Sequence, residues 1–193
     1  MIKEEAIELL SDKALNVEKV REIYNSFKDE KDVVGQVAMN LSLKTSVHNL
    51  EVGKSETMTQ LLIELADSND MGSRWAVAKN PHTPISILER LAKDKINLVR
   101  ALIATNPKTP SKILDSLFSD EKIVRDGLSG NPSTPLKILK VLSDDKDKMV
   151  RMRLAENPSA TEEILNKLMK DSDQNVAKAS EVSLRKKKTI ENS

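Results

Sequence analysis

The sequence predicts an all-α protein, an α-solenoid built from about six two-helix repeats of 25–26 residues. Two observations predict this fold. The dipeptide Asn-Pro recurs at intervals of 26, 25 and 26 residues, and a period of roughly 20–50 residues is typical of stacked repeats. An apolar triplet at helical spacing follows each Asn-Pro. The dipeptides begin at Asn80, Asn106, Asn131 and Asn157.

The second helix of each repeat is predicted by the triplets, whose spacing i, i+1, i+4 places three apolar side chains on one stripe. Thr-Pro precedes this helix in three repeats, and we expect Thr to accept a hydrogen bond from a free amide while Pro takes the first helical position. In the last repeat we expect Ser159 and Glu162 to form a capping box instead. The triplets are Ile87, Leu88 and Leu91; Ile113, Leu114 and Leu117; Ile138, Leu139 and Leu142; and Ile164, Leu165 and Leu168.

The first helix of each repeat is expected to be the shorter one, with 3₁₀ geometry as an option. It begins at a Val-Arg pair such as Val99-Arg100 and must end near Asn106, because proline disfavours helical geometry in the residue before it. We expect the Asn side chain to bond backbone groups that the corner leaves unpaired. Gly127 and Gly130 should weaken this helix in the third regular repeat.

The regular pattern covers residues 71–180. Residues 1–70 contain degenerate repeats with an insertion at 41–53, and residues 181–193 are expected to form a basic C-terminal tail. Outer repeats are expected to be atypical because one of their sides faces water. We therefore predict one continuous solenoid domain.

Composition argues against several classes of function. The chain has no cysteine, which excludes disulfides and thiolate metal sites, and no apolar run approaches the roughly 20 residues that cross a bilayer. The two histidines, His48 and His82, stand apart from other metal ligands, and no catalytic motif accompanies them. We therefore expect a cytoplasmic protein that is not an enzyme and holds no cofactor or metal.

The net charge of +1 hides an asymmetry along the chain. Residues 1–70 hold 8 Lys and Arg against 14 Asp and Glu, whereas residues 71–193 hold 23 against 16. The basic part of the chain keeps nucleic acid or another polyanion open as a partner.

The repeated line Val-Arg-x-x-Leu-Ala-x-Asn-Pro-x-Thr-Pro-x-x-Ile-Leu-x-x-Leu-x-x-Asp resembles the leucine-rich repeat variant family of bacteria. The likeness covers residues 72–176 well and residues 16–67 loosely. It implies a right-handed superhelix, related to HEAT arrays, in which an α-helix alternates with a shorter helix. The cysteine-ligated iron–sulfur domain of one type of member cannot be carried over, since this chain lacks cysteine. The family implies no shared activity.

A column of four arginines is the best candidate for binding, since guanidinium groups grip carboxylates and phosphates through paired hydrogen bonds. A column of aspartates precedes the Val-Arg pairs, close enough to bond Arg across the turn, so an internal ladder is the other interpretation. The arginines are Arg74, Arg100, Arg125 and Arg151, and the aspartates are Asp94, Asp120, Asp145 and Asp171.

The position after each arginine varies, being Trp75, Ala101, Asp126 and Met152 in turn. We expect so variable a position to lie on a face, where Trp75 is either an interface anchor or packs over the irregular repeat before it. The sequence therefore favours a non-enzymatic scaffold that binds a protein or peptide on an extended curved face, with Trp75, Met152 and the Arg column as candidate contacts. The alternative is binding of nucleic acid or another polyanion through the basic repeats and the Arg column. A repair enzyme on HEAT-like repeats is poorly supported by a chain with one tryptophan.

Overall fold

The structure, a computed structural model, describes residues 1–44 and 55–191, with side chains to Thr189, and this part of the chain contains thirteen α-helices and no strand. The polypeptide divides into two compact units, Met1–Val99 and Arg100–Ser193. None of the described helices is both long and apolar enough to span a bilayer. The helices are α1 (Lys3–Ser11), α2 (Val17–Ser26), α3 (Lys31–Leu43), α4 (Glu56–Leu65), α5 (Met71–Lys79), α6 (Ile85–Leu91), α7 (Asn97–Thr105), α8 (Ser111–Ser116), α9 (Lys122–Gly130), α10 (Leu136–Leu142), α11 (Lys148–Ala155), α12 (Glu162–Leu168) and α13 (Gln174–Glu191).

In the first unit, α1 and α5 both pack against α3, and α2 packs against α4. The apolar stripes of α2 and α4 are fully buried, as at Ile23 and Leu61. The degenerate segments before residue 71 therefore form helices that alternate between two layers, like the regular repeats. The predicted insertion at 41–53 begins inside α3, and residues 45–54 lie outside the described part of the chain.

In the second unit, α9 and α13 both pack against α11, and α12 packs against α13. The apolar triplets of the second helices form the core that the sequence predicts. Across both units, every side chain of the four triplets is at most 7% exposed. The all-α class and the core stripes are confirmed, whereas the number of repeats and the right-handed sense stay predictions. Residues 181–191 of the expected tail belong to α13, which begins at Gln174 and ends at Glu191.

The turn between the two helices of a repeat differs from our expectation. Pro84 is extended (φ −57°, ψ 147°) and is the N-cap of α6, not its first helical residue. The buried Thr83 hydroxyl donates to the carbonyl of Val77 in the last turn of α5, 2.6 Å away. The equivalent bonds are Thr109 to Ile103 (2.7 Å) and Thr134 to Leu128 (2.7 Å). Threonine therefore closes the end of the first helix and does not cap the second, because the extended proline separates it from that helix.

The last repeat also departs from its expected capping box. Thr161 is the N-cap of α12, where its side chain accepts from the amide of Ile164 at 3.4 Å. The Ser159 hydroxyl instead donates to the carbonyl of Pro132 in the preceding corner, 2.7 Å away. The expectation was wrong because Ser159 bonds the neighbouring corner and not its own helix.

The relative lengths of the two helices reverse the expected order. The first helices α5, α7, α9 and α11 have 8 or 9 residues, against 6 or 7 in the second helices α6, α8, α10 and α12. All eight are α-helices. At α6, α8 and α10 an extended proline at the N-cap delays the first turn of the second helix.

Small residues let neighbouring first helices approach closely. A Cβ atom added at Gly127 of α9 would lie 2.9 Å from Cβ of Ala104 and 3.0 Å from the carbonyl oxygen of Ala101. The position of Gly35 in α3 is the opposite case, since nothing lies within 4 Å of an added Cβ. Gly127 is thus required by packing, although it lowers the intrinsic stability of its helix.

We predict that alanine has opposite effects at these two helical glycines. Gly35→Ala should raise the free energy of unfolding by about 0.5–1 kcal/mol, because helix propensity improves without a clash. Gly127→Ala should lower it by about 1–3 kcal/mol, because the new methyl group pushes α9 away from α7. Urea unfolding of both variants measures this, and equal shifts of the same sign would contradict the close approach of α7 and α9.

Candidate functional site

The arginine column forms a ladder of paired hydrogen bonds with the aspartate that follows each arginine by 20 residues. In each pair Nε donates to one carboxylate oxygen at 2.6 Å and Nη2 donates to the other at 2.7–3.3 Å. The pairs are Arg74–Asp94, Arg100–Asp120, Arg125–Asp145 and Arg151–Asp171.

The partner of each arginine corrects the expected pairing across the turn. That expectation joined Arg125 to the preceding Asp120, but Asp120 offers Arg125 only its backbone carbonyl, which accepts from Nη1 at 3.0 Å. The carboxylate comes from Asp145, at the end of the second helix of the same repeat. The guanidinium group of Arg125 therefore bonds the turn before its helix through the Asp120 carbonyl. It also bonds the turn after the second helix of the same repeat through the Asp145 carboxylate.

The ladder lies mostly out of water, and its hydrogen bonds set the ionisation of the aspartates. The side chains of Asp145 and Asp171 are 6% and 7% exposed. The hydrogen bond from Arg151 holds the pKa of Asp171 below its ordinary value. At Asp145 burial raises the pKa, but the bonds from Arg125 and a backbone amide outweigh it and the pKa is again lowered. The hydrogen bond from Arg100 lowers the pKa of Asp120 in the same way. At Asp94 burial raises the pKa, but the bonds from Arg74 and a backbone amide outweigh it and the pKa is lowered.

A second ladder, formed by asparagine, connects successive repeats. The Asn131 amide Nδ2 donates to the carbonyls of Ala104 (2.7 Å) and Asn106 (3.0 Å) in the preceding repeat. Its Oδ1 accepts from the amide of Ser133 at 2.8 Å, which closes its own corner. The same double donation joins Asn157 to Ser129 and Asn131, and Asn40 to Leu10 and Asp12.

The sequence predicts the hydrogen bond of each asparagine within its own corner. It does not predict the bonds from the asparagine to the preceding repeat. The available signal was an asparagine that recurs two residues after a small residue, because buried polar groups need hydrogen-bond partners. The small residues are Ala78, Ala104, Ser129 and Ala155. Asn131 is 1% exposed and Asn157 is 3% exposed. The two-residue Asn-Pro signature therefore stops one helix and bonds the repeat to its predecessor.

The variable column following the arginines is less enclosed than the ladders. Trp75 and Met152 are half-buried, Ala101 is buried, and Asp126 is half-buried and pairs with Arg153 at 3.1 Å. Three of these four positions therefore reach solvent.

Trp75 lies in the first unit beside α3. With Gly35, Gln36 and Met39 it lines a depression of about 440 Å³. The ammonium of Lys79 lies 5.2 Å from the centre of the Trp75 ring, a cation–π distance. Met39 in the same depression is 48% exposed. Trp75 thus presents part of its ring beside an exposed apolar neighbour.

Met152 lies in the second unit beside a larger concavity. The α11–α13 groove has a volume of about 750 Å³, and its apolar lining comes from Met152, Pro158, Ala179 and Val182. A volume of roughly 300–1,000 Å³ is typical of sites that hold ligand groups. Sequence reasoning singled out Met152 but not this groove, because α13 lacks the repeat signature that would have aligned it.

Neither the acidic side chains nor His82 form a metal site within the described residues. Within residues 1–44 and 55–191, no group of three or more His, Asp or Glu side chains could hold a metal ion. His48 lies outside the described residues. His82 lies in the corner between α5 and α6, where its backbone amide donates to Oδ1 of Asn80 at 2.9 Å.

Comparison with solved structures identifies the fold. The structure of a leucine-rich repeat variant with a novel repetitive structural motif matches 94% of this chain and 81% of its own chain, with a TM-score of 0.53 and 24% sequence identity. No protein-family model and no curated protein matches the sequence. The resemblance read from the repeats is therefore confirmed at the level of fold, an all-helical architecture of α-solenoid type.

The aspartate ladder generates a prediction about charge. Asp145→Asn keeps the shape of the side chain but removes its charge, and we expect it to lower the free energy of unfolding by about 1.5–3 kcal/mol near neutral pH. The matched control is Asp144→Asn, because that exposed carboxylate forms a surface pair with Lys167 at 2.5 Å. We expect the control to change stability by less than about 1 kcal/mol.

The pH dependence follows from the lowered pKa of Asp145. The Asp145 carboxylate contributes its full stabilisation above its unfolded-state pKa of about 3.9. This stabilisation is lost as the pH falls through the lower pKa of the folded state. The stability gap between wild type and Asp145→Asn should therefore shrink below about pH 4. Urea unfolding across this range measures the gap, and a gap that stays constant would contradict the assignment.

Proposed function

We propose that the protein is a non-enzymatic repeat scaffold that binds a protein or peptide on the exposed face of its first helices. One observation carries the proposal. The side chains that repeat along the chain are bonded within the fold, whereas the position after each arginine varies and reaches solvent at Trp75, Asp126 and Met152. Stacked repeats keep their framework constant and present varied side chains to partners.

Trp75 and Met152 are the contacts we assign to the partner. Trp is enriched among the residues that dominate binding energy, and Met adapts its shape to irregular apolar surfaces. Each of the two lines a concavity beside a neighbouring first helix, Trp75 beside α3 and Met152 beside α13. The half-buried state of both side chains supports this assignment, since a partner could bury the remaining apolar surface.

The arginine column receives a structural role in this proposal. Arg74, Arg100, Arg125 and Arg151 each hold an aspartate through two hydrogen bonds. Taking an arginine away from its buried partner costs about 3–5 kcal/mol. This cost argues against the alternative function, binding of nucleic acid or another polyanion through that column.

Site-specific photo-crosslinking in a lysate of the source cell tests the proposal. We expect a photoreactive aromatic residue at position 75 and photo-methionine at position 152 to give discrete protein adducts. Photo-leucine at position 141 is the control, since Val141 is 53% exposed but lies on the second helix α10. Adducts equally frequent at all three positions, or adducts made mainly with nucleic acid, would contradict the proposal.

A further inference from the structure

The α11–α13 groove opens at the position where the repeat before it has an ion pair between its neighbouring first helices. One repeat earlier, Arg153 of α11 reaches over α9 and bonds Asp126 at 3.1 Å. A Cβ atom at Gly130 would lie only 2.7 Å from Cδ of Arg153, so the arginine fills that space. Advancing by the 26 residues that separate Asn131 from Asn157 replaces Asp126 by Met152 and Arg153 by Ala179. Two apolar side chains therefore take the place of the Arg153–Asp126 ion pair, and the space that the arginine fills in the earlier repeat stays open.

The length of α13 supplies the wall of the groove. At 26 residues after Asn157-Pro158 the sequence has Ser183-Leu184, so no proline ends α13 at the position where α11 ends. α13 therefore continues for 18 residues and runs past the corner at which α11 ends. Val182 lies on this extended wall and is 43% exposed. The groove is a consequence of the sequence of the terminal helix.

Lysines surround the apolar lining. Lys178, Lys186 and Lys187 all line the groove, against one described carboxylate, that of Glu156. Lys187 donates to the carbonyl of Pro158 at 2.8 Å. Lys178 and Lys186 are exposed and form no ion pair with any described residue. A partner that carries carboxylates therefore gains charge complementarity at this rim.

We infer that the α11–α13 groove binds an acidic amphipathic peptide, whose apolar side chains enter beside Met152 and Val182 while its carboxylates pair with Lys178 and Lys186. This inference rests on the proposed function and names the chemistry of its partner. Nucleic acid fits less well. A phosphate backbone leaves the apolar lining unused, and among the described lining residues there is no aromatic ring on which a base could stack.

Fluorescence anisotropy with four labelled probes tests the inference on the full chain. The first probe is an acidic amphipathic peptide of Leu and Glu, and the second is a peptide of the same composition in scrambled order, without an apolar stripe. The third probe keeps the apolar stripe but has Lys in place of Glu, and the fourth is oligothymidylate. We expect the first probe to bind at least about tenfold more tightly than the others. Equal binding of the scrambled or basic peptide, or tighter binding of oligothymidylate, would overturn the inference.

Matched variants locate the binding. Val182→Asp and the double variant Lys178→Glu/Lys186→Glu should each weaken the acidic probe by about tenfold or more. The control Val141→Asp makes the same substitution at an exposed position of α10, and the control Lys112→Glu makes one charge reversal at an exposed position of α8. Both should leave affinity unchanged. Losses as large in the controls would overturn the inference.

The two experiments distinguish a failure of the scaffold function from a failure of the groove inference. Adducts at position 75, in the first unit, test the scaffold function without the groove. If they form while no acidic probe binds, only the groove inference is wrong. If neither is seen, the scaffold function is wrong as well.

Discussion

Stacking of the repeats depends on one buried amide group per corner. Asn131 donates to two carbonyls of the preceding repeat and accepts the Ser133 amide of its own corner, so a single side chain satisfies three backbone groups. The first helices end abruptly at proline, which leaves carbonyls at their ends without helical partners. A buried carbonyl without a partner costs about 1–3 kcal/mol, and the asparagine column removes this cost at successive corners.

The other repeated polar residues form hydrogen bonds within each repeat. Threonine donates to a carbonyl in the last turn of its own first helix, and arginine joins the two ends of a repeat through a buried aspartate. These side chains set where neighbouring helices lie, while the apolar triplets supply the burial. Because the repeated polar residues are bonded within the fold, we place partner binding at positions that differ between repeats, Trp75 and Met152 among them.

Periodicity alone predicts the helices, the buried triplets and the candidate column at Trp75 and Met152. Hydrogen-bond partners could not be predicted in the same way, because spacing does not show in which direction a side chain turns. Thr83 was expected to cap the helix after it but bonds the helix before it, and Arg125 takes its carboxylate from Asp145 and not from Asp120. The groove escaped prediction because it arises from residues that break the repeat, Ala179 and Leu184 among them.

Hydrogen exchange of the Asn131→Ala variant tests the asparagine link most directly. The Thr109 amide donates to the carbonyl of Asn106, which also accepts from Asn131, and the Thr134 amide donates to the carbonyl of Asn131. We predict faster exchange at both Thr109 and Thr134, since the two corners are stabilised by one side chain. The exposed Asn166→Ala variant should leave both amides protected. Faster exchange at Thr134 alone would contradict a bond between neighbouring repeats.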